Sequence, residues 1–176
     1  IISDKNSYSL LGSEPLDPNV VKNYPQSLPI YPSIPAAIDN SNILPVIGNQ
    51  GNLGSCTGWA YGYYMRSSLA KRNWGVDLID PHNICSPAFL YKMGLKEAGK
   101  SMGQGLNPKI VQDTLVKWGS NSLYVTPYSD SDTNFNMNLI DNNMFRIDSY
   151  KTIDSLNKND MKAELTVGNV INVSLF

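Results

Sequence analysis

The sequence predicts an α+β fold, with helices through its first two thirds and strand-like segments near its end. Three stretches (56–72, 87–98 and 107–118) carry apolar residues at helical spacing behind recognisable start signals. Two late stretches, 145–150 and 170–176, read as strands, the second with apolar side chains alternating at Val173 and Leu175. At 176 residues, 41% hydrophobic and 16% charged, the chain is long enough for one domain with a proper core.

In chain order, 1–35 holds six of the eleven prolines: Pro15, Pro18, Pro25, Pro29, Pro32 and Pro35. That spacing permits neither a long helix nor a central strand. It predicts an extended segment with one helical turn near 18–22, either an arm lying on the surface or a short pro-segment that crosses a cleft and is later cut. Gly48, Gly51 and Gly54, with Asn49 and Asn52 between them, favour tight turns. No proline then interrupts 56–72, where Ala60, Tyr63, Tyr64, Ser67 and Ala70 form one buried stripe. Ser55 suits an N-cap, and Lys71 and Arg72 suit the last turn. Gly58 and Gly62 each cost a helix up to about 1 kcal/mol against alanine, so another element is expected to pack closely there.

Asn73-Trp74-Gly75 stops that helix, and Asp80-Pro81-His82-Asn83 is a turn or a helix start. Ser86 caps the next helix with Pro87 in its first position, and Phe89, Leu90, Met93 and Leu95 give the apolar face. Asn107 and Pro108 repeat the device before Ile110, Val111, Leu115 and Trp118, with Gly119 as the stop. Residues 129–143 are polar and irregular. A short helix opens at 156–160 and runs to Leu165, with Gly168 past its end.

The chemistry-bearing residue is Cys56, in the first turn of a helix behind a glycine-rich loop. Helix N-terminal N–H groups favour thiolate over thiol, and a free cysteine that titrates near 8.5 is expected to titrate lower there. An attacked carbonyl would develop an oxyanion, for which the Cys56 N–H and the Gln50 side-chain amide are candidate donors. The plain alternative is a cysteine serving as a small buried hydrophobe. Gly103 and Gly105 precede a helix. The full G-x-G-x-x-G is absent because Pro108 fills its third place, so a phosphate loop is disfavoured.

Gln50-Gly51-Asn52-Leu53-Gly54-Ser55-Cys56 resembles the segment Gln-Gly-x-Cys-Gly-Ser-Cys-Trp of papain-like cysteine peptidases, with the same spacing from Gln to Cys. Leu53 stands where the family has its first cysteine, a half-cystine that usually ties this loop down. Thr57 stands where it has an aromatic, with Trp59 nearby as a substitute packing group. Microbial and viral-type members often read Gly-Ser-Cys-Thr. Ala37-Ile38-Asp39 and Leu44-Pro45-Val46-Ile47 are similar to the family's mature N-terminus. Ser86-Pro87-Ala88-Phe89-Leu90-Tyr91 is similar to the segment after its nucleophile helix, and Thr126-Pro127-Tyr128 to its Tyr-Pro-Tyr.

The resemblance implies a papain-like fold over 36–176, with a helical left subdomain and the beginning of a β-rich right one. It implies a thiol endopeptidase made as a zymogen, with Cys56 and Gln50 catalytic and Gly54, Gly103 and Gly105 binding the substrate backbone. The two later glycines read equally well as an ordinary loop. No cofactor or metal is implied. The family's histidine and asparagine lie about 130–150 residues beyond the cysteine, past Phe176. The single histidine, His82, precedes a helix that the family does not use for its base. The expected partners are therefore a peptide or protein substrate and the remaining C-terminal part of the peptidase, on the same chain or a second one. A catalytically inactive papain-fold module that binds peptide or a protein is the alternative. Transglutaminase or other acyl-transfer chemistry is a third reading.

A net charge of −1 gives no electrostatic case for nucleic acid or an anionic membrane. No run approaches the ~18 apolar residues of a membrane span, and Ile1-Ile2-Ser3-Asp4 turns polar too soon for a signal peptide. With Cys56 free to react, Cys85 is expected to be unpaired, which favours a reducing compartment or a branch without disulfides.

Overall fold

The computed structural model describes residues 13–27, 33–132, 134, 145–154 and 156–173. Its helices are α1 (Pro18–Val21), α2, α3 (Pro87–Glu97), α4 (Pro108–Lys117) and α5 (Lys158–Thr166). Of these, α2 is a π-helical stretch, Gly58–Arg66, running into α-helical Ser67–Trp74. Short 3-10 turns occupy Ser41–Ile43 and Pro81–Asn83.

Local chemistry explains most of these boundaries. Asp17, Ser86, Asn107 and Asn157 each accept a backbone N–H at a helix start, which satisfies a donor that the helix itself cannot pair. Gly75 takes φ +67° as the C-cap of α2, the left-handed value that a side chain resists. The α2 helix departs from the expectation at 58–66, which is π-helical instead of α-helical. Its two glycines explain the tight packing. A Cβ at Gly58 would stand 2.6 Å from the Pro87 carbonyl oxygen, and one at Gly62 would stand 3.0 Å from Leu90. This segment is buried on most sides, through Gly58, Trp59, Tyr61, Gly62, Tyr63 and Arg66.

The α2 helix separates two apolar clusters. Tyr61 joins Leu90, Tyr91, Leu95, Leu106, Val111 and Leu115, where α2, α3 and α4 meet. Trp59 and Tyr63 face the other way, onto Leu78 and Ile84. The described part of the N-terminal arm lies on this body. Ser13 bridges Leu106 and Gln26 bridges Thr152, Glu14 pairs with Lys100, and the buried Tyr24 ring meets Tyr150 edge-on at 6.0 Å.

The strand expectations are corrected. Among the described residues only isolated bridges form, so the fold seen is helical with little strand. Residues 145–150 are irregular. Their donors go to the end of α4, with Ile147 N–H on Leu115 O and Arg146 Nε on Val116 O at 2.9 Å. Residues 170–173 are also irregular. A strand needs a neighbour to pair with, and no described segment lies in register with either stretch. Residues 174–176 and most of the polar stretch 129–143 lie partly or wholly outside the described residues. No described helix is long and apolar enough to cross a membrane.

Candidate functional site

The segment that carries Cys56 is held from two sides. Its floor is Trp59, one turn further along α2, whose ring fills the space where a Cβ of Gly48 would stand. Two tyrosines of α2 hold the approach to the loop, with Tyr64 Oη accepting the Gly48 N–H at 3.0 Å and Tyr63 donating to Val46 O at 2.8 Å. Its outer wall comes from 120–132, which is fastened to the start of α3. Ser86 Oγ caps the Phe89 N–H and donates to Thr126 O at 2.6 Å, while Ser86 N–H donates to Asn121 O. Further out, the buried Lys92 ammonium meets Asp132 at 2.6 Å, and this holds the Asp132 carboxyl below its usual range.

Cys56 lies half-buried in the first turn of the helix that continues as α2, and neither cysteine is in a disulfide. Burial pushes the Cys56 thiol above its ordinary value, while hydrogen bonds from the Thr57 and Cys56 backbone N–H groups pull it down. The sequence expectation of a lowered value is therefore corrected. The helix-start donors do reach the sulfur, but desolvation outweighs them. Cys85 is fully buried, and burial carries its thiol up to about 12.

Ser55 does not cap the helix with its hydroxyl. The hydroxyl is buried and lies 2.6 Å from Tyr128 Oη. Gln50 is half-buried, and its Nε2 donates to Leu53 O at 3.0 Å. That bond uses one of its two amide hydrogens and leaves one donor. The structure does bring the Gln50 backbone to the start of α2, because Gln50 O and Ser55 Oγ both touch the Tyr128 hydroxyl.

Gly54 is buried. Gly103 is exposed at φ +85°, with open space where a side chain would stand. Gly105 accepts Lys100 Nζ at 3.0 Å. Tyr91 links this turn to Cys56. Its backbone and Cβ press on Gly58, its hydroxyl donates to Gln104 O at 2.7 Å, and its ring is an electrostatic neighbour of Cys56. Burial raises both Tyr91 and Tyr61, the other tyrosine that senses Cys56, to about 12.

His82 belongs elsewhere. It is exposed, with Nδ1 2.7 Å from Asp80 Oδ1 and its ring stacked 3.9 Å from Tyr124. Among the described residues, no group of three His, Cys, Asp or Glu side chains is placed to hold a metal ion.

Sequence reasoning missed Tyr91, the hydroxyl role of Tyr128, and Asp130, whose carboxylate accepts the Asn52 N–H at 3.1 Å. Tyr128 stood in a noticed Thr-Pro-Tyr run, but its partners are 73 and 78 residues away, and no local spacing reports such contacts. No protein-family model matches this chain, and no curated protein matches it.

Proposed function

We propose that this chain carries the nucleophile part of a papain-like cysteine endopeptidase, completed by a C-terminal part that brings the base. The observation that carries this reading is Cys56, part-exposed at a helix start with two backbone N–H groups on its sulfur. In this reading the Cys56 sulfur attacks the peptide carbonyl carbon. The carbonyl electrons collect on oxygen, where the Cys56 N–H and the free Gln50 N–H would donate. The C–N bond breaks, the amine leaves with a proton, and water hydrolyses the thioester. The turn at Gly103 would lie beside the substrate backbone, because exposed glycine leaves room for another chain.

The remainder would supply the histidine that takes the thiol proton and returns it to the leaving amine. Two observations support an outside base. The thiol sits above its ordinary value in this chain, and His82 is engaged by Asp80 and Tyr124. A cationic imidazole beside the sulfur would reverse the burial effect.

The second reading, an inactive papain-fold module that binds peptide or a protein, is favoured by the same raised thiol and by the bond from Gln50 to Leu53 O. A peptidyl epoxide separates the two. The endopeptidase reading requires that Cys56 in the assembled protein be modified far faster than Cys85, with peptide hydrolysis lost in Cys56→Ala. Peptide binding without modification of Cys56 would leave the inactive module standing.

A further inference from the structure

The loop between Gln50 and Cys56 carries no covalent tie, yet both of its ends and its middle are fastened to one short segment. Tyr128 Oη donates to Gln50 O at 2.6 Å. A backbone carbonyl only accepts, so the single Tyr128 proton goes there, and the Ser55 hydroxyl, which has Leu53 O as a more distant acceptor at 3.4 Å, donates to Tyr128 Oη across the shorter 2.6 Å contact. The chain Ser55 O–H to Tyr128 O–H to Gln50 C=O closes the loop on one oxygen. Two residues on, Asp130 Oδ2 accepts the Asn52 N–H at 3.1 Å. Gly51, at φ +60°, lets that carboxylate approach, since a Cβ there would collide with it. The Tyr128 ring also packs on Trp59, with centroids 4.9 Å apart and planes at 72°.

We propose that Tyr128 and Asp130 are positioning residues that hold the 50–55 loop in register with Cys56, a non-covalent clip in place of a disulfide. This inference rests on the peptidase reading for its purpose, although the clip itself can be tested without it. Neither residue touches a reacting atom. Each acts through the loop backbone, which sets where the Gln50 amide and the Cys56 N–H stand.

The test uses the assembled protein, with the part that brings the base, and three variants: Tyr128→Phe, Asp130→Ala and Asp130→Asn. Amide hydrogen exchange at 51–56 should quicken by about tenfold or more in Tyr128→Phe, while exchange in α4 stays unchanged. Asp130→Ala should quicken Asn52 and its neighbours, and Asp130→Asn, which keeps an acceptor oxygen, should restore them. Two Cys56 readouts should then move in opposite directions in Tyr128→Phe. Iodoacetamide needs only an accessible thiol, and the midpoint of its pH–rate profile should fall toward the ordinary cysteine value as burial is relieved. A peptidyl epoxide needs the placed donors, and its maximal inactivation rate should drop while its half-saturating concentration changes little. Should Tyr128→Phe fail to fold, the Asp130 pair and Ser55→Ala carry the same comparison. Unchanged exchange at 51–56, or a rise shared equally by α4, would overturn the clip. Loosened exchange with no epoxide reaction even in the unaltered protein would leave the clip in place and remove the peptidase reading.

Discussion

The two cysteines sit at opposite extremes of one helical body. Cys85 is sealed beneath α2, with its backbone N–H on Ser67 Oγ and its thiol carried up to about 12. Cys56 opens α2, is only half-buried, and receives two backbone N–H groups. Burial raises both thiols, so burial alone does not separate them. What separates them is access together with donors. A shell around Cys85 keeps water and reagents out, whereas Cys56 stands where a loop, a helix start and the Tyr91 ring converge.

Alkylation is the largest lever on that contrast. Cys85 is reachable only by unfolding, so native-state labelling should favour Cys56 by about 10³-fold or more, and denaturant should bring the ratio close to one. Equal rates in the folded protein would erase the contrast. Packing under Cys56 comes next. Gly58→Ala places a methyl 2.6 Å from Pro87 O, and urea unfolding should show a loss of about 2–3 kcal/mol. The matching change in the exposed turn, Gly103→Ala, meets open space and should lose only the backbone strain of about 1–2 kcal/mol.

Alkaline stability probes the sealed side. The folded thiol of Cys85 lies above its unfolded value, so its contribution is full below the ordinary thiol pKa and is lost as pH rises toward about 12. Tyr61 and Tyr91, also at about 12, add to the loss above pH 10. In Cys85→Ala the slope of stability against pH should flatten by at most about 1.4 kcal/mol per pH unit over that window, measured by urea midpoints. The smallest effect belongs to the surface. His82→Ala should change stability by less than about 0.5 kcal/mol and leave the rate of Cys56 alkylation where it was.

Which features could be read from the sequence follows from how far each interaction reaches. Ser86, Asn107 and Asn157 cap helices through N–H groups two or three residues away, and Gly75, Gly119 and Gly168 end them with positive φ. Those signals are written in adjacent residues. The stretches 145–150 and 170–173 alternate like strands, but alternation is only half of a strand, and the pairing neighbour cannot be inferred from the stretch itself. The site divides in the same way. The turn-rich loop and the helix start at Cys56 were legible locally. The bonds of Tyr128 to residues 50 and 55 and of Lys92 to Asp132 join distant segments. The raised Cys56 thiol depends on what surrounds it in space, which helix position alone does not report.

One hydroxyl serves two masters in this molecule. Ser86 Oγ both initiates α3 and anchors Thr126, two residues before Tyr128. The start of α3 and that anchor are therefore joined through one oxygen. A displacement at the start of α3 would then reach the loop before Cys56 through Thr126 and Tyr128, although the cysteine belongs to another helix.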